Sequence, residues 1–342
     1  MTTTVSPASS PVPAASAAPE AGRGRFRPRG FVWLVLRQHR ATLVVLTLLL
    51  VAELVQLALL GYMLRKDADI RALADLCAGD GRECAERWSP AADFRAGYGD
   101  ALHFNGLLVQ YVPLLAGLFT AGPMIARELE SGTWRLAWTQ SLPPARWLAA
   151  KLAVPAVLVL VGVSLMSALY TWCWTAVPTE LLPGQRWYDS FGMLGPMPVA
   201  NALCGVAFGA LAALATRRTV PAMALTLVGY GAVRSVLNYV RPHLWPPTRT
   251  VSLGMPGYPN DGTWVLGRGM LTRSGERIPD DACGVGASPE RCLASHNADR
   301  WYLDHHPPSD HWPLAWLESG ILAALAGLAA WAALRWVRHV VP

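Results

Sequence analysis

Charge is scarce in this sequence. Asp, Glu, Lys and Arg make up 15% of its 342 residues, against about 25% in an ordinary soluble domain. Lysine is almost missing, occurring only as Lys66 and Lys151, whereas 53% of the residues are hydrophobic without counting glycine. So few charges cannot cover that much apolar surface, which excludes a soluble fold of this size. The same apolar content excludes disorder throughout. The net charge is +6, but the arginines cluster beside apolar runs, and no nucleic-acid partner is expected.

Several chemical signatures are also missing. No GxxxxGK[ST] segment exists to cradle a nucleotide's phosphates, and neither lysine has that context. No HExxH, GxSxG or CxxC pattern occurs, so no catalytic residue is assigned. The six cysteines lack metal-site spacing, and no metal is expected. His305-His306 with Asp310 and His311 offers ligand types, but the Pro307-Pro308 break and loop setting read as a solvated structural stretch. Gly97-Tyr98-Gly99-Asp100 has the GxGD form of intramembrane aspartyl peptidases, yet its candidate second acid, Asp189, lies in a loop. That chemistry needs two facing buried carboxylates.

What the sequence does have is long apolar runs. A helix needs about 20 mostly apolar residues to cross a bilayer. Six stretches qualify: roughly 41–64, 106–125, 148–172, 196–215, 220–240 and 316–334. Each is expected to be helical, because lipid offers no partner to a free backbone amide or carbonyl. The expected fold class is therefore an all-α, six-span integral membrane protein. Residues 1–30 are expected to form a disordered tail, with the six-span domain over 31–342. Residues 31–40 read as an amphipathic segment that can lie in the interface. Two long loops follow the first and fifth spans.

Basic residues orient the chain. With both termini on one side, that side carries fourteen Lys and Arg against three acids, and the other fourteen against eighteen. The short connections decide orientation, and those at 126–147 and 216–219 are basic. Both termini are expected in the cytoplasm, which places the two long loops outside. There Cys77, Cys84, Cys283 and Cys292 are in an oxidising setting. Three pairings are open to them; short separations favour Cys77–Cys84 and Cys283–Cys292, and four free thiols are the alternative. Cys173 and Cys204 read as packing residues.

Three charges fall inside spans: Glu53, Arg234 and Glu318. Each costs about 2.5–3.5 kcal/mol at the bilayer centre if left to lipid. Arg234 and Glu318 lie at similar depth and can pair. Glu53 is a competing partner, or a protonated group facing the interior. Snorkelling of Arg234 and Glu318 to the interface is the alternative.

The connection after the second span reads "ARELESGTWRLAWTQSLPPARWLAAKL". Gly132 can stop one helix and Thr133 can cap a short second one. Trp134 and Trp138, four apart, then share a face. This run resembles the motif of type-2 ABC transporter permeases of the actinobacterial branch. So do "LRQHRATL" before the first span, "RPHLWPP" at 241–247, and "WLESGILAALAGL" at the last. The resemblance implies a permease subunit of an ATP-binding-cassette exporter in the cell membrane, acting as a homodimer or paired heterodimer. It implies a separate ABC ATPase subunit that holds ATP and Mg. It places Glu128, Glu130, Gly132, Thr133, Trp134, Arg135 and Trp138 at or near the ATPase contact. It also implies an elbow helix before the first span and re-entrant segments before the last. A membrane sensor or scaffold with ligand-binding outer loops is the rival reading.

Overall fold

A computed structural model describes residues 40–66, 95–135, 143–177, 186–259, 262–283 and 288–339. The expected tail, the elbow segment, Cys77, Cys84 and Trp138 lie outside these residues.

In chain order the helices are α1 (Arg40–Lys66), α2 (Asp100–Ala116), α3 (Gly122–Ser131), α4 (Pro144–Trp174), α5 (Met197–Thr216) and α6 (Thr219–Val240). A sheet then intervenes, built of β1 (Thr248–Ser252), β2 (Trp264–Thr272), β3 (Arg277–Pro279) and β4 (Ala298–His306). The short helix α7 (Pro289–Ser295) precedes β4, and α8 (His311–His339) closes the chain. Among the described residues, five stretches are long and apolar enough to cross a bilayer: Thr47–Lys66, Pro144–Trp174, Met197–Thr216, Thr219–His243 and Pro308–Arg338.

The remaining expected span, 106–125, is helical but not one α-helix. A π-helical turn at Gly117–Ala121 separates α2 from α3. Just beyond it, Pro123 has no N–H to give to the carbonyl four residues back.

Helix α5 sits at the centre and packs against α2, α3, α4, α6 and α8. Seven alanines and two glycines in its 20 residues give it a thin surface, which lets neighbouring backbones come close where lipid supplies no hydrophobic drive for association. At one crossing, a Cβ on Gly122 of α3 would lie 3.4 Å from the Gly209 carbonyl oxygen of α5. Helix α1 packs instead on α4, where Gly61 leaves room for the Trp172 ring and the Cys173 sulfur. Arg65 locks that crossing by donating to the Trp172 carbonyl at 2.9 Å and lying over its ring at 4.7 Å.

The segment between α6 and α8 corrects the sequence reading. Where the resemblance implies re-entrant segments, the described residues form a four-stranded antiparallel sheet in the order β1-β4-β2-β3. Alternation makes it: Met270 and Trp301 turn inward with Cys292 into a small core, with Ile278 and Leu293 around it. Arg249 on β1 grips Asp304 on β4 with two bonds of 2.6 and 2.9 Å. That guanidinium holds the Asp304 carboxyl below its ordinary range. Cys283 and Cys292 form a disulfide inside this unit.

Aromatic rings fix the sheet to the bundle. Trp264 of β2 stacks on Tyr188 at 5.7 Å and meets Trp187 edge-on at 5.8 Å, while Trp187 and Phe191 both contact His311 at the head of α8. The Trp187 indole N–H donates to the Gly262 carbonyl at 2.8 Å.

A side chain at Gly61 has to displace Trp172. Gly61→Leu is expected to cost about 1–3 kcal/mol by overpacking, read as a lowered thermal unfolding midpoint of the full chain in detergent. An unchanged midpoint would mean that α1 does not depend on this crossing.

Candidate functional site

The helix ends form two charged sites. At the first, the end of α3 meets the starts of α4 and α6 and the ends of α5 and α8. Ile125, Ala126, Trp147, Leu148, Ala213, Ala222 and Val337 form one buried cluster there. Arg127, Arg135, Arg217, Arg335 and Arg338 surround it on exposed positions, so this is the basic end.

Helix α3 stops at Gly132, which takes the left-handed conformation at φ 73° that glycine adopts without penalty. Glu128, on its last turn, pairs with the buried Lys151 of α4 and accepts from the Trp147 indole N–H at 3.1 Å. Glu130 reaches the start of α6, where its carboxylate accepts from the Thr219 hydroxyl at 2.9 Å and the Thr219 amide at 3.3 Å. A carboxylate at a helix N-terminus satisfies an orphan amide and opposes the helix dipole. Both acids thus clamp α3 to its neighbours. The Ser131 and Thr133 hydroxyls are 3.0 Å apart. Trp134 packs on the cluster from a half-buried position, with the exposed Arg135 guanidinium 5.4 Å from its ring. Pro143 is the N-cap of α4 and Pro144 its first residue, where a missing N–H costs nothing.

The second charged site lies at the sheet end. Glu318, fully buried on α8, accepts from Arg234 Nη1 at 2.8 Å, Arg241 Nε at 2.6 Å and Arg241 Nη2 at 2.9 Å. Asn238 accepts from Arg241 at 2.8 Å and from Arg234 at 3.4 Å. The Arg241 guanidinium also lies 4.2 Å from the Phe191 ring centre. Glu53 is not a member of this group; its Oε1 is buried without a hydrogen-bond partner. The residue that sequence reasoning missed is Arg241, assigned to a loop. A 3₁₀ turn over Arg241–His243 carries the helix on and turns that side chain back inward. The signal was its spacing: Arg234, Asn238 and Arg241 stand at helical intervals on one face.

Near this end a cleft of about 660 Å³ opens between α4, α5 and α8, lined by Ser164, Thr171, Val199, Leu203, Trp312 and Trp316 among others. Cys173 and Cys204 are free and buried, and Cys173 Sγ donates to the Leu57 carbonyl at 3.1 Å. Among the described residues no group of three or more His, Cys, Asp or Glu could hold a metal. Within the stretch read as solvated, Pro308 and Ser309 are exposed, whereas His306 and His311 are buried.

Long apolar helices that bury their charges in pairs and clusters, and keep arginines at their ends, define a multi-pass membrane protein. Residues 45–241, more than half of the chain, match the model of the ABC-2 membrane transporter related family, and the chain belongs to that family. No curated protein and no solved structure matches it.

Glu318→Gln leaves the buried Arg241 and the half-buried Arg234 guanidinium without a countercharge. It is expected to cost about 3–5 kcal/mol, seen as a lower unfolding midpoint. Removing Arg234 as well, in R234Q/E318Q, should recover part of that loss. The swap R234E/E318R should not, because Arg241 then faces a second arginine. Recovery by the swap would exclude Arg241 from the cluster.

Proposed function

We propose that the protein is the membrane-spanning subunit of an ATP-binding-cassette exporter, with its basic end in the cytoplasm and its sheet outside. In this reading the helix through 95–131 is a sixth span, both termini are cytoplasmic, and the protein resides in the cell membrane. Exposed tryptophan and tyrosine support these boundaries: Trp172, Tyr239, Trp245 and Trp312 stand at the sheet end, and Trp331 and Trp336 at the basic end. Such rings favour the two membrane–water interfaces. The disulfide supports an oxidising compartment for the sheet.

The observation that carries the reading is the double clamp on α3. A partner pressing on Gly132–Arg135 moves the end of α3, and Glu128 and Glu130 pass that displacement to α4 and α6. No P-loop occurs in the chain. Hydrolysis therefore belongs to a separate ABC ATPase subunit that carries ATP and Mg, and this chain has no enzymatic role. Trp134, Arg135 and Trp138 form the contact, whereas Glu128 and Glu130 act behind it. The pump works as a homodimer or a paired permease. ATP changes the balance between inward- and outward-facing states only through its differential effect on that contact.

The full chain should co-purify with an ABC ATPase when the two are expressed together. Trp134→Ala should reduce ATPase recovered per permease. Glu130→Ala should keep the ATPase bound but abolish the permease's effect on its rate. A chain that recruits no ATPase, or that hydrolyses ATP alone, refutes the assignment.

A further inference from the structure

Glu318 is the carboxylate of the sheet-end cluster, and it faces two guanidiniums. Arg241 takes both of its oxygens, through Nε at 2.6 Å and Nη2 at 2.9 Å, gives a further bond to Asn238 and lies over the Phe191 ring. That pair is fork against fork, the strong form of a guanidinium–carboxylate contact, and it cancels the charge of the acid. Arg234 is then a second cation on a carboxylate already matched. Among the described residues no other carboxylate pairs with either arginine, so the cluster keeps one positive charge. An uncancelled charge within a bilayer is costly, and such groups mark the place of a ligand or counter-ion.

Arg234 is also short of acceptors. A guanidinium has five N–H groups; one of those on Arg234 goes to Glu318 and one, at 3.4 Å, to Asn238, which leaves three with no acceptor among the described residues. Its side chain is 15% exposed, on the same helix as the exposed Asn238 and Tyr239. A second donor borders the same space. The point where a Cβ on Gly192 would stand is 3.5 Å from Arg234 Nη2 and 3.9 Å from Nε2 of Gln110, on α2. Gln110 forms no hydrogen bond among the described residues. Gly192 belongs to the 3₁₀ turn Phe191–Met193, and as glycine it puts no side chain of its own between guanidinium and carboxamide.

We propose that Arg234 and Gln110, over Gly192, bind a singly charged oxyanion of the phosphate type. An oxyanion supplies what the site lacks: one negative charge, and acceptor lone pairs on which a guanidinium closes with two parallel bonds. The level on the helix points to a lipid source. The Arg234 guanidinium reaches Asn238, the neighbour of Tyr239, whose exposed ring belongs at the membrane–water interface, where the phosphates of a bilayer also lie. Arg241 is not the binding group, because three of its N–H groups and one face of its guanidinium are in use inside the protein. The site does not involve an ATPase, so it stands whether or not the transport reading does.

The unfolding midpoint of the full chain in detergent, followed against ligand concentration at fixed ionic strength, gives an apparent affinity for each probe. The probes are dilauroyl phosphatidylglycerol, dilauroyl phosphatidylcholine and inorganic phosphate. Arg234→Gln leaves Arg241 and Glu318 as a matched pair, and Gln110→Leu touches neither. The basic end attracts anionic lipid as well, so the loss from wild type to variant is the quantity read. Phosphatidylglycerol should bind about tenfold more weakly to Arg234→Gln, the effect of one hydrogen bond to a charged group. It should also bind more weakly to Gln110→Leu, while phosphatidylcholine binds all three proteins alike. The same loss for inorganic phosphate makes the anion a soluble one; a loss confined to phosphatidylglycerol makes it a lipid. Phosphatidylglycerol that binds either variant as tightly as wild type overturns the site, and so does an equal loss of phosphatidylcholine.

Discussion

The fold depends on close contact with α5. In lipid, two apolar helices gain no hydrophobic free energy by meeting, so association rests on how near their backbones approach and how many atoms then touch. The alanine- and glycine-rich surface of α5 allows five neighbours to approach one rod. The pairing of α1 with α4 is built differently, with Gly61 making room for the large Trp172 ring. Once small residues have fixed the spacing, the charges can be positioned: Glu318 reaches two arginines because α8 lies alongside α5, and α6 is held to the same helix.

The two charged sites follow one rule with different outcomes. At the basic end, Glu128 and Glu130 each serve a neighbouring helix, one by neutralising a buried lysine and the other by capping an N-terminus. At the sheet end, one carboxylate serves two guanidiniums, with Asn238 and the Phe191 ring completing their surroundings. A buried ion pair is a poor source of net stability, yet breaking one is costly. Such groups therefore fix which helices are neighbours more than they strengthen the bundle.

Apolar periodicity made the helices legible, because lipid leaves a long hydrophobic run no other structure to form. Depth along the spans also placed Arg234 and Glu318 at one level. Three features were not legible. Arg241 looked like loop because Pro242 follows it, yet a proline in the first turn of a 3₁₀ segment does not stop the chain from continuing inward. The sheet was overlooked because the alternation in its strands is diluted by arginine and glycine. The Ser274-Gly275 turn between β2 and β3, with Gly275 at φ 85°, was the available signal. The role of Glu128 and Glu130 as internal clamps could not be read from one dimension, since Lys151 and Thr219 are 23 and 89 residues away.

The π-helical turn between α2 and α3 has a geometric consequence. An α-helix advances about 100° per residue, and a π turn accommodates one residue beyond the α count. Everything after Gly117–Ala121 is therefore out of phase with α2 by roughly that angle. Glu128 and Glu130 face α4 and α6 only because of this offset. The widened turn sets the rotational register of α3: closing it into α-helix with all its residues kept would swing both carboxylates away from Lys151 and Thr219, whereas deleting one residue within it would close the same turn and leave both in place.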